Sequence, residues 1–479
     1  MEPAMPKPSL DRRGFLKRGG AASLGALAAP WAMNLAALAD AAAAEATDDY
    51  KAVVCVFLQG GNDHGNTLIP VDDAGHAVYA RLRGGLALPR AQLGASTLLS
   101  PVTSAGLQGR QLALAPSLSG LQGLFNTERR LAALLNIGPL RQPTTLAQFR
   151  SRSVALPRKL FSHNDQQSVW QSFEPEGSTV GWGGRLADQG LALNATAALT
   201  CVNLSGNAVF GAGERAGQFM VNPLGPERVQ ALDAASFLGS AACVDAFRKL
   251  VRTDDPSVHR VAKEHSLIMR RAMDVNALLL EQLAAVTSPP ARGPTGNPLA
   301  DQLRTAVRIM AAHRQLGAAG AGGLKRQVFF VQMGGFDLHD NLLSQHPVLL
   351  QRLADALVQL DDDLGQLGMR KQVTAFTASD FGRTLSSNGD GSDHGWGGHH
   401  FVLGGAVQGG RFFGTWPDVT DFDAGEHNIG QGRLLPTLAV DHLSDALARW
   451  MGVTDPQALA ALAPNLRNFP GASPLAGLF

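Results

Sequence analysis

The chain has 479 residues, of which 45% are hydrophobic and 17% charged, and its 41 basic and 40 acidic side chains give a net charge of +1. This length fits about two to four small domains or one large α/β domain. The charge balance gives no reason to expect nucleic-acid binding or a polybasic membrane patch. The apolar content excludes a disordered protein, and three cysteines are too few for a disulfide scaffold.

Residues 1–45 carry the features of an export signal in the expected order. Arg12-Arg13 is followed by Phe15-Leu16-Lys17, then by a mildly apolar stretch, and Ala37-Leu38-Ala39 offers a small-x-small cleavage site. This pattern resembles a twin-arginine translocation signal. It implies recognition by the twin-arginine export machinery and a mature protein that is periplasmic or secreted. The alternative is an ordinary N-terminal helix.

The mature chain is expected to contain no integral membrane span, because no other stretch reaches 18 uninterrupted apolar residues. Cys55, Cys201 and Cys243 fit the role of small buried residues. A bridge between Cys201 and Cys243 is possible but is not indicated by the sequence.

Apolar runs rich in β-branched or aromatic residues predict buried strands. These runs are residues 52–58, 131–137, 200–204, 327–333, 373–377 and 401–403. Runs without polar alternation are typical of parallel strands that are covered on both faces. Between the runs at residues 327–333 and 373–377, leucines spaced 3-4-3-4-3 from Leu350 to Leu367 predict an amphipathic helix. Residues 327–377 are therefore predicted to form a βαβ unit.

The stretch over residues 205–320 is predicted to be mostly helical or irregular. Helical periodicity is clearest in residues 259–286 and 299–316. We expect this stretch to form a helical insertion or cap on a single α/β domain that spans residues 46–479.

Two segments of the chain echo each other at the ends of predicted strands. Gly60-Gly61-Asn62-Asp63 follows the first strand, and Gly334-Gly335-Phe336-Asp337 follows the fourth. The strand predicted at residues 373–377 leads into Ser379-Asp380, which supplies a third carboxylate. In an open α/β sheet, ligands bind outside the carboxyl ends of the strands. The three carboxylates are therefore predicted to share a site, although a single Gly-x-Asp would be explained by turn chemistry alone.

Five of the 13 histidines lie between His339 and His400. Aspartate carboxylates with neutral imidazoles form a ligand set for zinc, and with more oxygens for manganese, magnesium or calcium. Asp337, His339 and His394 are predicted as ligands of a divalent metal. For His399 and His400, a solvated loop is the favoured interpretation.

A nucleophile and an anion-binding residue can also be sought. Ser162 with Asp165 three residues later resembles a capping box, which predicts a helix start beside free N–H groups. Ser162 is the candidate nucleophile, although a simple helix cap is the plainer explanation, and Thr67 is a weaker candidate. Arg383 could hold an anion through two hydrogen bonds or could serve as an ion-pair residue.

Together these motifs carry a family resemblance. The sequences Leu58-Gln59-Gly60-Gly61-Asn62-Asp63, Gly181-Trp182-Gly183-Gly184-Arg185, Gly334-Gly335-Phe336-Asp337-Leu338-His339-Asp340, Ser379-Asp380-Phe381-Gly382-Arg383-Thr384 and Asp393-His394-Gly395-Trp396-Gly397 resemble the family called domain of unknown function 1501. That family is similar to the alkaline phosphatase and sulfatase superfamily. The implied fold is a three-layer α/β/α sandwich around a large, mostly parallel sheet, here with a helical insertion.

The resemblance implies a one- or two-metal centre that hydrolyses phosphate or sulfate esters. It assigns metal binding to Asp63, Asp337, His339, Asp380 and His394, and it places Ser162 near the nucleophile. Active phosphatases usually have His or Asn directly after the Asp that corresponds to Asp380, whereas this chain has Phe381. One ligand is therefore missing unless it is replaced by His163, Asp393, His399 or His400.

Two functions follow from these patterns. The first is an exported metal-dependent hydrolase that acts on an anionic small molecule or glycan. The second is a catalytically degenerate relative that binds a glycan or a protein in the cell envelope. A dinucleotide-dependent oxidoreductase fits poorly, because the segment from Gly60 to Gly65 is not G-x-G-x-x-G and lacks a downstream acid about 20 residues on.

Overall fold

The strands of the central sheet form where the sequence has its longest apolar runs. The computed structural model describes residues 49–228, 235–251, 259–286, 295–317 and 323–479, so the export signal predicted over residues 1–45 lies outside it. The strands are β1 (Lys51–Leu58), β2 (Leu68–Pro70), β3 (Leu112–Leu114), β4 (Leu131–Gly138), β5 (Cys201–Asn203), β6 (Gln218–Met220), β7 (Arg326–Met333), β8 (Val373–Ser379), β9 (Arg383–Ser387), β10 (Ser392–His394), β11 (Gly398–Gly404), β12 (Phe412–Phe413) and β13 (Leu438–Ala439).

Helices occupy most of the segments between these strands. The described α-helices are α1 (Asp73–Arg83), α2 (Gln122–Asn126), α3 (Leu146–Ser151), α4 (His163–Ser172), α5 (Trp182–Gly190), α6 (Ala241–Val251), α7 (Arg260–Ala285), α8 (Pro298–Ala311), α9 (Leu342–Gln366), α10 (Val440–Trp450) and α11 (Pro456–Leu462). The leucine stripe lies within α9 as far as Leu364, and Leu367 is the C-terminal cap residue of the helix. α9 begins eight residues before Leu350 and contains Pro347 in its second turn.

Nine strands form one large sheet in the order β12-β4-β11-β8-β1-β7-β5-β6, with β13 also paired to β4. β1 lies at the centre and pairs in parallel with both β7 and β8. β11 is antiparallel to its two neighbours, β4 and β8, and the other eight strands run in one direction. The predicted large, mostly parallel sheet is confirmed, and so is the βαβ unit β7-α9-β8.

The strands of the sheet are buried on both faces, as their unalternating apolar sequences predict. Val53, Cys55 and Phe57 of β1 belong to a core that includes side chains of α4, α5, α10 and α11. The alternate residues Val54 and Val56 are equally buried. On that second face, α8 packs against β7 and against α9. The sheet therefore lies between two helical layers, which confirms the predicted three-layer α/β/α arrangement.

Residues 51–479 form one compact unit. Within the stretch predicted as a helical insertion, β6 joins the main sheet, while α6, α7 and α8 supply helices. The boundary of that insertion at residues 205–320 stays a prediction. In the described residues, no helix is long and apolar enough to cross a membrane. Cys55, Cys201 and Cys243 are free thiols.

Candidate metal centre

The loops that follow β1, β7 and β8 interlock at one edge of the sheet. Gly60 follows β1 with a φ of 118°, and a β-carbon at this position would clash with the backbone nitrogen of Asp337. The backbone N–H of Gly60 also donates a hydrogen bond of 3.1 Å to Asp380 Oδ1. The glycine is needed here both for its backbone conformation and for the close approach. The three loops predicted from the Gly-x-Asp echo therefore meet in space.

Helix α4 brings His163 to this edge, where Asp380 holds its imidazole. Asp380 is fully buried, and its Oδ2 lies 2.7 Å from His163 Nδ1 and 2.8 Å from Gln167 Nε2. The hydrogen bond to Asp380 is the main reason that the pKa of His163 is raised. A carboxylate paired to one imidazole nitrogen fixes the ring so that the other nitrogen faces a chosen point.

That point is shared with His394 and Asp337. His163 Nε2 lies 3.1 Å from His394 Nε2 and 3.3 Å from Asp337 Oδ2, and His394 Nε2 lies 3.3 Å from Asp337 Oδ1. One ligand atom from each residue lies within 4.8 Å of the others. The two imidazoles are largely buried, whereas 45% of the Asp337 side chain is exposed, so the point is open to solvent.

The hydrogen bonds behind the two imidazoles determine what their inner nitrogens can do. His394 Nδ1 lies 2.7 Å from the carbonyl oxygen of Phe161, so Nδ1 carries a proton, as His163 Nδ1 does beside Asp380. In the neutral rings both Nε2 atoms then present lone pairs, 3.1 Å apart. These lone pairs repel unless a proton or a cation lies between them. Tetrahedral bonds of about 2.05 Å to zinc would separate two nitrogens by about 3.3 Å, so the donor set fits a metal ion.

His339 stands beside this group on the solvent side. Its Nε2 lies 2.9 Å from His394 Nε2 and 3.0 Å from Asp337 Oδ1, and its Nδ1 lies 3.5 Å from Asp393 Oδ1. The side chain of His339 is 45% exposed. We name the group formed by His163, Asp337, His339 and His394 the edge cluster.

Arg383 fixes Asp337 and does not offer a free guanidinium. Its Nη1 donates to Asp337 Oδ1 at 2.9 Å and to the carbonyl oxygen of Gly60 at 3.0 Å, while Nε and Nη2 donate to Ser392. The Arg383 side chain is fully buried. Partial burial opposes ionisation of Asp337, but the hydrogen bond and the charge of Arg383 outweigh it, so the Asp337 pKa is lowered. Of the two predicted roles, the ion pair is the one observed.

The predicted ligand Asp63 is committed elsewhere. Arg83, at the end of α1, donates through Nη2 to Asp63 Oδ2 at 2.5 Å, and the backbone N–H of Gly65 donates to Asp63 Oδ1 at 3.2 Å. Both partners of the ion pair are fully buried. A carboxylate whose two oxygens already accept hydrogen bonds, one from a cation, is poorly placed to bind a metal. The metal-binding role of Asp63 stays a prediction, and these contacts do not favour it. Asp380, another predicted ligand, lies behind the His163 ring. Its Oδ2 contacts His163 Nδ1, and its Oδ1 accepts a hydrogen bond from the Gly60 N–H.

The predicted nucleophile Ser162 is the N-terminal cap residue of α4, but its hydroxyl makes no capping bond. Ser162 Oγ instead donates to Asp165 Oδ2 at 2.8 Å, so the predicted capping box does not form. The weaker candidate Thr67 donates to the carbonyl oxygen of Asp63 at 2.8 Å and accepts from Asn62. Neither hydroxyl is directed at the edge cluster by its hydrogen bonds.

Phe381 occupies the position where the superfamily pattern has a further ligand. Its ring centroid lies 4.8 Å from that of His163 and 4.6 Å from that of His394, and the residue is buried. The ring therefore packs against both candidate ligands. The sequence left four residues that could replace the ligand missing at this position, and His163 is the one among them that brings an imidazole from α4 to the edge cluster.

His399 and His400 were expected in a solvated loop, and this expectation is wrong. Both lie in β11 and are 2% exposed. Burial lowers the pKa of each to about 3. The short apolar run at residues 401–403 indicated a strand, but nothing in the sequence showed that it extends back to Gly398.

Comparison with solved structures finds proteins of low similarity. Ps i-CgsB, in complex with k-i-k-neocarrahexaose, has a TM-score of 0.36 and 9% identity over 88% of this chain and 77% of that chain. The lipoteichoic acid synthase LtaP from Listeria monocytogenes has a TM-score of 0.27 and 9% identity over 75% of this chain and 66% of that chain.

Among curated proteins, none matches this chain in sequence. The family model described as "Protein of unknown function (DUF1501)" matches residues 50–459. This range holds nearly all of the described unit, including every member of the edge cluster. The chain therefore belongs to the DUF1501 family.

Proposed function

We propose that the chain is an exported, metal-dependent hydrolase of phosphate or sulfate esters whose metal ion is held by His163, His394 and Asp337. The observation that carries the proposal is the convergence of these three side chains, with ligand atoms within 4.8 Å of one another. Asp380 and the Phe161 carbonyl hold the Nδ1 atoms of the two imidazoles, and Arg383 holds Asp337 through Oδ1, in the pattern that surrounds metal ligands in proteins.

A bound divalent ion would polarise a phosphoryl or sulfuryl oxygen of an anionic small-molecule or glycan substrate. Two histidines and one carboxylate suit zinc, and additional oxygen ligands would suit magnesium, manganese or calcium. His339 is the exposed member of the edge cluster, 3.0 Å from Asp337 Oδ1, and is placed to exchange a proton with substrate or water.

The test measures metal and turnover in the same preparation. The purified chain is loaded with zinc, manganese, magnesium or calcium, its bound metal is quantified by mass spectrometry, and aryl phosphate and aryl sulfate are assayed. We expect about one ion per chain, and loss of both ion and turnover in His163→Ala. His265→Ala on the exposed face of α7 is the matched control. A chain that binds none of the four metals and hydrolyses neither ester would contradict the proposal.

Export is proposed from the leader. Replacement of Arg12 and Arg13 by lysines should retain the protein in the cytoplasm, because the twin-arginine machinery reads the arginine pair. Cell fractionation with a fused reporter measures this outcome. Unchanged export of the lysine variant, together with full export in cells that lack the twin-arginine machinery, would reject the assignment.

A catalytically degenerate binding protein is the second candidate. It is favoured by Phe381, which packs on His163 and His394, and by the bond that ties the Ser162 hydroxyl to Asp165. This candidate predicts that an anionic polysaccharide raises the melting temperature equally with and without a chelator. Hydrolysis that requires both the metal and Ser162 would exclude it.

A further inference from the structure

A strongly basic segment leads into helix α4. Residues 141–161 contain five basic residues and no acidic one, although the whole chain has 41 basic and 40 acidic residues. We name residues 141–161 the basic segment, and its charged members are Arg141, Arg150, Arg152, Arg158 and Lys159. In a chain with such an even overall balance, a local excess of one sign gives that part of the surface a positive potential, which attracts anions.

The apolar side chains of the basic segment hold it on the protein. The residues that pack against a small core around Trp396 are Leu146, Phe149, Leu156, Leu160 and Phe161. The ring centroids of Phe149 and Trp396 are 5.9 Å apart. Trp396 follows His394 of β10 by two residues, so the segment packs next to the part of the chain that carries a proposed metal ligand.

The end of the basic segment is attached to the edge cluster by backbone carbonyl groups. The carbonyl oxygen of Phe161 lies 2.7 Å from His394 Nδ1. The carbonyl oxygens of Arg158 and Lys159 accept hydrogen bonds of 3.0 Å and 3.4 Å from Gln166 Nε2 of α4, the helix whose first residue belongs to the edge cluster. The two basic residues nearest to α4 are therefore anchored beside the proposed metal site.

The charged ends of these side chains are available to a partner. Arg150, Arg152 and Arg158 are exposed, and none of them forms an ion pair with a described residue. The side chain of Lys159 is 67% exposed, and its Nζ lies 3.4 Å from Asp165 Oδ1. Guanidinium groups that have no acidic partner on the protein can pair with sulfate or phosphate oxygens of a ligand.

Arg433 adds a further guanidinium beside the edge cluster, and its orientation is fixed. Its Nε donates a hydrogen bond of 2.7 Å to the carbonyl oxygen of His394, and its Cζ lies 5.4 Å from the centroid of the Phe161 ring. Its two Nη atoms have no hydrogen bond with a described residue and are not among the buried polar atoms that lack a partner. Both Nη atoms are therefore open to solvent and free to bind an anion.

We propose that the basic segment and Arg433 bind the anionic groups of a linear polysaccharide that carries sulfate or phosphate esters. This inference rests on the proposed function of the edge cluster and makes the substrate a polymer, of which one ester is hydrolysed while its neighbours are held. A single contact with an exposed guanidinium is weak. A polymer presents several anionic groups on one chain, so the contacts with separate guanidinium groups reinforce one another.

The surroundings of these charges favour a polysaccharide over other anionic partners. No large apolar side chain of residues 141–161, all of which the structure describes, is exposed, whereas a segment that binds membranes or proteins needs apolar anchors. Proteins that bind single-stranded nucleic acid stack its bases on free aromatic rings. The rings of Phe149 and Phe161 are instead covered by Trp396 and Arg433.

The first test is a titration of the full chain with labelled heparin, a sulfated polysaccharide, in the presence of a chelator. We expect saturable binding that weakens as the salt concentration rises, because salt screens contacts between exposed charges. Uncharged dextran should not bind, and a thymidine oligonucleotide of equal charge should bind less tightly. Absence of saturable heparin binding, or tighter binding of the oligonucleotide, would overturn the proposal.

Two matched variants locate the binding surface. One removes three charges from the basic segment through Arg150→Gln, Arg152→Gln and Arg158→Gln. The control removes three exposed charges from α7 through Arg260→Gln, Lys263→Gln and Arg271→Gln. We expect heparin affinity to fall by about tenfold or more in the first variant and by less than about threefold in the control. Equal losses would show that only the net charge matters and would reject the surface.

Arg433 is tested by its own variant. Arg433→Gln removes the guanidinium and should weaken heparin binding by about threefold or more, because one charged contact is lost. Unchanged affinity in this variant would contradict the part of the proposal that concerns Arg433.

A second measurement reads the contact directly. Lysine acetylation is quantified by mass spectrometry with and without heparin, and Lys159 should be protected several-fold while the exposed Lys263 of α7 is not. Equal reactivity of Lys159 in both samples would contradict the proposal. Because these experiments need no metal, a chain that binds heparin as expected but hydrolyses no ester would contradict the proposed function alone. A metal-dependent hydrolase whose heparin affinity is insensitive to the basic segment would contradict this inference alone.

Discussion

The pair formed by Asp63 and Arg83 and the edge cluster both lie near the carboxyl ends of the central strands, yet they use their polar atoms differently. Asp63 and Arg83 are fully buried, and the Asp63 oxygens and the two Arg83 Nη groups all have protein partners. In the edge cluster, protein partners hold the Nδ1 atoms of His163 and His394 and the Oδ1 atom of Asp337, while the Nε2 atoms and Asp337 Oδ2 face one another. Buried charges need partners to be tolerated at all. Facing atoms without such partners mark the group that is available for a ligand.

The largest effect is expected at the buried pair. Arg83→Met would leave the Asp63 carboxylate buried without its cation, and such a change costs about 3–5 kcal/mol in the free energy of unfolding. Urea denaturation of the metal-free chain at neutral pH measures it. A loss below about 1 kcal/mol, combined with a loss of bound metal, would return Asp63 to the metal site and erase the contrast between the two groups.

The next effect is expected behind the edge cluster. Asp380→Asn removes the carboxylate that orients His163, and removal of such a partner lowers metal affinity by about 10–100-fold. Competition with a chromogenic chelator measures the affinity. Asp393→Asn is the matched control, because Asp393 lies 3.5 Å from the exposed His339 and should change affinity less. Equal losses in the two variants would show that Asp380 has no special role.

The pH dependence of the metal-free chain should separate buried from half-exposed histidines. Burial lowers the pKa of His346 to about 4 and of His399 and His400 to about 3. Their contribution to stability is complete above the unfolded-state pKa of about 6.5 and is lost as the pH falls below it, by at most about 1.4 kcal/mol per pH unit for each proton. Between pH 4.5 and 6.5, the free energy of unfolding obtained from urea denaturation should therefore depend less steeply on pH in His400→Phe than in the unaltered chain.

His163 should behave in the opposite way. Its pKa is raised by Asp380, so its contribution is complete below pH 6.5 and is lost as the pH rises through the raised pKa. His163→Phe should reduce the decline of stability above pH 6.5 and leave the acid side unchanged. The same slopes in the variant and the parent would contradict the assigned hydrogen bond between His163 and Asp380.

The smallest effect is expected at a surface ion pair. Arg90 contacts Asp73 at the start of α1, where both side chains are more than half exposed. Arg90→Ala should change the free energy of unfolding by less than about 1 kcal/mol, because solvent screens the pair. Urea denaturation of Arg90→Ala and Arg83→Met under the same conditions compares the two losses in the free energy of unfolding. A change as large as that of Arg83→Met would show that burial does not determine the cost.

The sequence predicted the sheet well because its strands are buried on both faces. Long apolar runs such as residues 52–58 and 327–333 need no knowledge of their neighbours to be recognised. The glycines at the strand ends also indicated the edge of the sheet where the loops after β1, β7 and β8 meet. They could do so because the positive φ that Gly60 adopts is a local property of its loop.

Roles within the site were harder to predict, because they depend on which distant side chain arrives. Asp63 and Asp337 follow similar strand ends, but Arg83 reaches one and His163 the other. The helix start at Ser162 was recognised, yet the neighbouring His163 faces the cluster. Likewise β11 is inserted antiparallel between β4 and β8, and no short-range pattern reveals such a placement of His399 and His400.

The position of β1 has a consequence for how the chain acquires its site. Lys51 pairs with Arg326, and Ala52 pairs with Val373, so β1, the first strand of the described residues, is completed by strands synthesised more than 270 residues later. Pairings of such long sequence separation form slowly, because loop closure precedes the contacts that reward it. Until those strands are made, the backbone edges of β1 lack their sheet partners, and its apolar faces lack the core that covers them. The edge cluster assembles only when nearly the whole polypeptide is available.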